Sequence, residues 1–252
     1  GGTVALVSEA PRPARQATAV DVLFLLDTTG SMGDELSQLT ANIATIADNV
    51  AAMAPDADLR FGMTLYRDDV DTFTTATYDL TGDIDAFGRA LDEVTADGGG
   101  DTPEALDEGL AEALAKPSWR PAGEALQLVF VVGDAAPQVG RNVPTPYTES
   151  LRDAMARGIK VFPIASSGTD DVAELVFREL AQATGGRFVF LAYGAAGAAL
   201  GAGTDIGATD YEELSLDQLI TRFIAEELTD WTGTAVTMPV PTPTSTTRPP
   251  NQ

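Results

Sequence analysis

The feature that most constrains this chain is the run VDVLFLLDTTGSM, Val20 to Met32, in which an apolar segment stops on an acid and continues as hydroxyl residues and a glycine. Val22, Leu23, Phe24, Leu25 and Leu26 are apolar at consecutive positions, so both faces of an extended segment must be covered. That is the pattern of a central parallel strand with helices on each side, because a sheet with one wet face would alternate. The strand is placed at Val20 to Leu26, which puts Asp27 at its carboxyl end, where open α/β sheets bind their ligands. Thr29 and Ser31 follow at a spacing of two, so in a turn entering a helix their hydroxyls can converge with the Asp27 carboxylate. Three hard oxygens without nitrogen or sulfur suit Mg²⁺, Mn²⁺ or Ca²⁺ and not zinc.

Beyond that turn, strands and helices alternate. Gly33 to Ala52 carries Leu36, Leu39, Ile43, Ile46 and Val50 at helical spacing, with acids at its positive end. Leu59 to Tyr66 reads as a strand and Asp71 to Tyr78 as a Thr-rich antiparallel edge partner. Asp83 to Val94 is predicted helical, Gly98 to Gly100 a loop, and Glu104 to Ala115 a helix with Pro103 in its first turn. Ala125 to Val132 is a second continuous apolar strand, ending at Gly133 and Asp134. Tyr147 to Arg157 and Asp171 to Thr184 read as helices, Ile159 to Ala165 and Arg187 to Ala192 as strands, and Leu214 to Trp231 as a closing helix. The Gly- and Ala-rich stretch Tyr193 to Asp210 carries no phosphate-cradle fingerprint and reads as a loop. The alternation implies an α/β fold with a parallel sheet and right-handed crossovers.

The D-x-T-x-S run from Asp27 to Ser31 resembles the first motif of the von Willebrand factor type A domain, whose metal-ion-dependent adhesion site reads D-x-S-x-S. Thr for Ser keeps the hydroxyl. GGGDTPEAL, Gly98 to Leu106, resembles the second metal loop of that family, and VFVVGDAAP, Val129 to Pro137, resembles the strand ending in its third metal-loop Asp. One such motif would be ordinary turn chemistry; three in order are specific. The motif style is closest to the I-like domains of integrin beta subunits. The resemblance covers Val20 to Trp231 and implies a doubly wound, mostly parallel six-stranded sheet with helices on both faces and one antiparallel edge strand. It implies a metal site of Asp27, Thr29, Ser31 and Asp134, completed by Thr102 or Glu104. A Thr serves in one branch of the family and the Glu of a D-x-P-E run in the beta subunits, and Asp101, Pro103 and Glu104 match the latter. Capping of the following helix is the alternative role for Asp27, Thr29 and Ser31, and a first-turn helix acid that for Glu104. Secondary ions are implied at Asp34 and Glu35, and at Asp68 with Asp101, where Gly99 stands in place of the family's Asn. The implied function is a metal-dependent adhesion or assembly module, in which a divalent cation completes its shell with an Asp or Glu of a protein partner.

Composition narrows the field. A length of 252 residues suits one α/β domain of about 200 residues with tails: a leader over 1–19, the domain over 20–231, and a Pro- and Thr-rich tail over 232–252. The tail's PVPTPTSTTRPP suggests a linker to a further domain or anchor, and favours an extracellular or cell-surface setting over a cytoplasmic one. Cys and His are absent, which removes thiol chemistry, His-dependent triads and the usual zinc sites. The formal charge of -23 argues against nucleic acid and anionic membranes as partners, and no apolar run is long enough to insert in a bilayer. Arg-biased cations with abundant Ala and Gly look like a GC-rich bacterial genome or salt adaptation. Two other functions fit parts of the pattern. One is an intracellular scaffold that bridges to an ATPase. The other is a Mg²⁺-dependent phosphoryl-transfer enzyme of the haloacid-dehalogenase type, since DTTGS resembles DKTGT, with Asp27 as nucleophile and Lys116 completing the site. Asp27 lacks the second acid two residues on that many such enzymes use, so the non-enzymatic reading is preferred.

Overall fold

The computed structural model describes residues 18–68, 71–99, 103–138, 140–166, 168–191 and 215–236. Six strands, β1 (Ala19–Asp27), β2 (Asp58–Tyr66), β3 (Thr75–Thr81), β4 (Ala125–Gly133), β5 (Lys160–Ala165) and β6 (Val189–Phe190), form one sheet in the order β3-β2-β1-β4-β5-β6. All neighbours are parallel except β2 and β3. The helices are α1 (Gly33–Met53), α2 (Ile84–Asp92), α3 (Leu106–Ala115), α4 (Tyr147–Arg157), α5 (Asp171–Thr184) and α6 (Leu216–Thr232).

Strand alternation divides the core in two. Val20, Val22, Phe24 and Leu26 of β1, with Leu126, Leu128, Phe130 and Val132 of β4, pack beneath α1, α2 and α6. Leu23 and Leu25, with Val129 and Val131, pack beneath α3, α4 and α5. Both faces of β1 and β4 are therefore dry, as their unbroken apolar runs require. On the first face parallel register sets Phe24, Phe130 and Phe162 side by side, and Phe61 of β2 and Phe223 of α6 extend the row, so that in the order Phe61, Phe24, Phe130, Phe162, Phe223 successive centroids are 6.3, 5.8, 5.2 and 5.3 Å apart. Each such buried ring contributes about 1.5–3 kcal/mol, which helps hold β1, β4 and β5 in register.

The two ends of β1 are chemically opposite. At its amino end the fully buried Asp21 accepts from Arg60 Nε and Nη2, both at 2.8 Å, and from the side chain and backbone N–H of Arg120. At its carboxyl end Asp27 has no cationic partner among these pairs.

Most element boundaries follow the sequence pattern, and the departures have local causes. The edge strand begins at Thr75, not Asp71, because the Asp71 carboxylate accepts from the N–H groups of Asp68 (3.2 Å) and Gly99 (3.0 Å) and holds its own residue in a loop. Helix α3 begins at Leu106, not Glu104, because the Glu104 N–H donates to the Ala136 carbonyl at 3.1 Å and forms a bridge to Pro137. Strand β6 is shorter than Arg187 to Ala192: Arg187 instead pairs with Glu226 and stacks over Phe223 at 5.2 Å. Helix α2 is shorter than Asp83 to Val94, since Asp83 is its cap and accepts from Ala86 N–H at 2.9 Å. A single 3₁₀ turn, Gly30–Met32, joins β1 to α1. The predicted leader before residue 18, the Tyr193 to Asp210 loop and the Pro- and Thr-rich segment lie outside the described residues.

Candidate metal centre

Three segments meet at the carboxyl end of β1. The first is the turn after the strand. Asp27 is fully buried, and its Oδ1 accepts from the backbone N–H of Thr29 at 2.9 Å and from the Thr29 hydroxyl at 2.7 Å. Ser31 Oγ lies 3.4 Å from Thr29 Oγ1. Because Thr29 gives its proton to Asp27, the lone pairs of Oγ1 stay free for an electrophile, and the exposed Ser31 hydroxyl opens beside it. Neither side chain caps α1: the cap position is Met32, with no side-chain hydrogen bond. The helix-capping role for these three residues is set aside on that ground.

The second segment is the glycine loop. Gly30 N–H donates to the Gly98 carbonyl at 3.1 Å and Asp97 N–H to the Thr28 carbonyl at 3.0 Å, which binds this loop to the turn. Gly99, at φ +69°, wedges so close that a Cβ there would lie 2.7 Å from Thr29 Cβ and 3.1 Å from Glu104 Oε1. Glu104 is held out of α3 by its bridge to Pro137, so its carboxylate turns into the cluster and not to solvent as a first-turn helix acid would. The third segment is the end of β4, where the half-buried Asp134 follows Gly133.

Electrostatics show how these acids lie. Burial raises Asp27 from 3.8 to about 7 against the two Thr29 hydrogen bonds, with the Asp134 charge adding to the rise. Burial, then the charges of Asp27, Asp68, Asp134 and Asp71, raises Glu104 from 4.5 to about 8. Glu35 is raised by burial and then by Asp134 and Asp34. Asp134 therefore sits among Asp27, Glu35 and Glu104. Two buried carboxylate oxygens, Asp27 Oδ2 and Glu104 Oε2, have no hydrogen-bond partner. Buried unpaired carboxylates are costly, and a cation is the simplest group to satisfy both. Among the described residues no three acidic side chains are disposed to hold an ion by themselves, so an ion here would draw on other oxygens as well, and the Thr29 and Ser31 hydroxyls stand beside the carboxylates. The donor set, carboxylates and hydroxyls only, fits a hard divalent cation.

Other expected residues are distributed differently. Thr102 and Asp101 lie outside the described residues. Asp34 and Glu35 do not form a pair: Asp34 is exposed at the start of α1, whereas Glu35 is buried. Asp68 is buried beside the cluster and accepts from Gln138 Nε2 at 2.8 Å. Lys116, required for phosphoryl transfer from Asp27, caps the far end of α3, largely exposed and 3.7 Å from Glu112.

The sequence reading did not single out Tyr66, which ends β2 level with Asp27, or Arg67, which follows it. Arg67 is buried, donates from Nε to Thr28 Oγ1 at 3.1 Å and from Nη2 to the Thr95 carbonyl at 2.7 Å, and lies 4.5 Å over Phe73. The Tyr66 carbonyl accepts from Thr28 N–H at 3.0 Å and Thr28 Oγ1 at 3.1 Å. Parallel pairing of strands that end together is the signal that could have found them.

A family model for the von Willebrand factor type A domain matches residues 21–195. The chain belongs to this family. Domains of this family are protein-interaction modules of the adhesion or assembly kind, generally non-enzymatic, and often bind a divalent metal. A 122-residue stretch, 48% of the chain, is 30% identical to the alpha-protein kinase vwkA of Dictyostelium discoideum and spans 19% of that protein. Among solved structures, the conserved hypothetical protein BatB from Bacteroides thetaiotaomicron superposes with a TM-score of 0.56 at 17% identity, covering 83% of this chain and 98% of BatB. Proximal thread matrix protein 1 from the mussel byssus superposes with a TM-score of 0.53 at 16% identity, covering 70% of this chain and 43% of that one. At these identities the structural likenesses bear on the fold alone.

Proposed function

We propose that this von Willebrand type A domain binds a divalent cation, Mg²⁺ or alternatively Mn²⁺ or Ca²⁺, at the end of β1 and through it grips an Asp or Glu of a protein partner. The observation that carries the reading is the pair of buried, unpartnered oxygens, Asp27 Oδ2 and Glu104 Oε2, in the cluster that also holds the Thr29 and Ser31 hydroxyls. Thr29 and Ser31 would hold the ion directly, Asp27 and Asp134 would support it, and Glu104 would supply the second-loop oxygen, with Thr102 as the alternative. A cation that takes two neutral hydroxyls keeps much of its charge, so a partner's carboxylate completes its shell. That is capture and release, not turnover.

Asp68 tied to Gln138 and Asp34 turned outward make secondary ions the weaker part of this reading. The domain spans 20–231, with a leader before it and a Pro- and Thr-rich linker toward a further domain or anchor after it, a layout suited to the cell surface or the exterior. Among the described residues no helix is long and apolar enough to cross a membrane.

The test is calorimetric titration of Mg²⁺, Mn²⁺ and Ca²⁺ into chelator-stripped protein, beside Asp27→Ala and Asp134→Ala. Saturable binding that both substitutions remove, with circular dichroism unchanged, is the expected result. Ion uptake equal in all three proteins would overturn the reading.

A further inference from the structure

We propose that Tyr66 is the positioning residue of this centre, its phenolic O–H closing onto Asp27 Oδ2 when the ion is bound, so that the carboxylate is then held from both sides. The inference rests on the metal-binding reading above. Tyr66 is fully buried and ends β2 directly beside Asp27 in the parallel register. Its side chain runs through a slot kept open by two glycines. On α3, a Cβ at Gly109 would lie 3.1 Å from the ring. On β4, a Cβ at Gly133 would lie 2.5 Å from the Tyr66 hydroxyl and 3.6 Å from Asp27 Oδ2. The phenol therefore crosses the end of β1 and brings its oxygen to the same notch as Asp27 Oδ2. Both atoms are buried, and in this structure neither has a hydrogen-bond partner.

The chemistry is complementary. Thr29 occupies Oδ1 with two donors. A phenol donating to Oδ2 leaves the carboxylate unable to swing about its Cβ–Cγ bond, and the Thr29 hydroxyl must then keep its proton on Oδ1 and its lone pairs toward the ion. Outer-shell hydrogen bonds of this kind are worth about 10–100-fold in metal affinity.

The experiment compares Mg²⁺ and Mn²⁺ titrations of the whole chain with those of Tyr66→Phe, which keeps the ring, together with thermal melting in excess chelator. The expected result is metal affinity weakened about 10–100-fold with chelator melting unchanged or raised, since the variant deletes an unpaired buried hydroxyl and no packing. A packing role alone would lower melting and leave affinity alone. Affinity within about twofold of wild type, against the expected loss, overturns the proposal while the metal-binding reading stands. A wild-type protein that takes up neither ion overturns both.

Discussion

Neutralising Glu104 should stabilise the metal-free protein at alkaline pH while destroying its use of metal. Burial and four neighbouring acids raise Glu104 from 4.5 to about 8. An acid whose folded value lies above its unfolded one makes the folded state the stronger proton binder, so the stability it supports is complete below about pH 4.5 and is lost as pH rises to about 8. At about 1.4 kcal/mol per decade the interval bounds the loss at about 5 kcal/mol. Because Asp27 shares the same repulsion and the site relaxes on ionisation, about 2–4 kcal/mol is the expected share. Glu104→Gln cannot ionise. Unfolding of both proteins in excess chelator should give nearly equal stabilities at pH 5, and at pH 8.5 should leave the variant more stable, by about 5–10 °C in melting temperature. Saturating Mg²⁺ should reverse the order, since only the wild type gains the binding free energy. A variant no more stable than wild type at pH 8.5 in chelator would refute the electrostatic argument, because Glu104 would then have a compensating partner.

Metal uptake at pH 7 should release about one to one and a half protons, the sum of a half-protonated Asp27 and a mostly protonated Glu104; calorimetry in buffers of different ionisation enthalpy reads this directly, and a heat independent of buffer would contradict it. Gly99→Ala places a methyl 2.7 Å from Thr29 Cβ and should weaken Mg²⁺ binding at least tenfold, about 1.4 kcal/mol, whereas Gly123→Ala, also at positive φ but with open space around it, should cost only about 1 kcal/mol of stability and leave titrations unchanged. At the other end of β1, Asp21→Asn breaks the pairs to Arg60 and Arg120 and should lower stability by about 3 kcal/mol in urea unfolding without altering ion affinity.

The fold was legible because the strongest signals were dense and local. Two nine-residue strands, β1 and β4, are apolar along nearly their whole length, which admits only a central, doubly covered position. Helices α4 and α5 matched their predicted limits because Gly158 and Gly185 end them in the left-handed region, with φ of 73° and 75°. Three of the misplaced boundaries lie where a side chain or backbone group is committed to a partner distant in sequence, Asp71 to Gly99, Glu104 to Ala136 and Arg187 to Glu226, whereas α2 is shortened by its own Asp83 cap. Local propensity carries no record of such contacts, so β3, α3 and β6 came out displaced or too long.

The candidate site was legible to the same depth and no further. Asp27, Thr29 and Ser31 lie within five consecutive residues, so their convergence needs only a turn; Glu104 and Asp134 arrive through loops that the family pattern names. What the motif could not convey is that the turn is braced from beneath by β2. Tyr66 and Arg67 stand about forty positions from Asp27 and Thr28 in sequence, yet parallel pairing sets them level, with Arg67 holding Thr28 and the Tyr66 hydroxyl facing the notch at Gly133. The division of labour explains why the same β1 strand can be both foundation and instrument. Its amino end satisfies Asp21 completely with two arginines and a backbone N–H, which fixes the strand. Its carboxyl end leaves Asp27 half satisfied, and the energy of that deficit is what the proposed cation would recover.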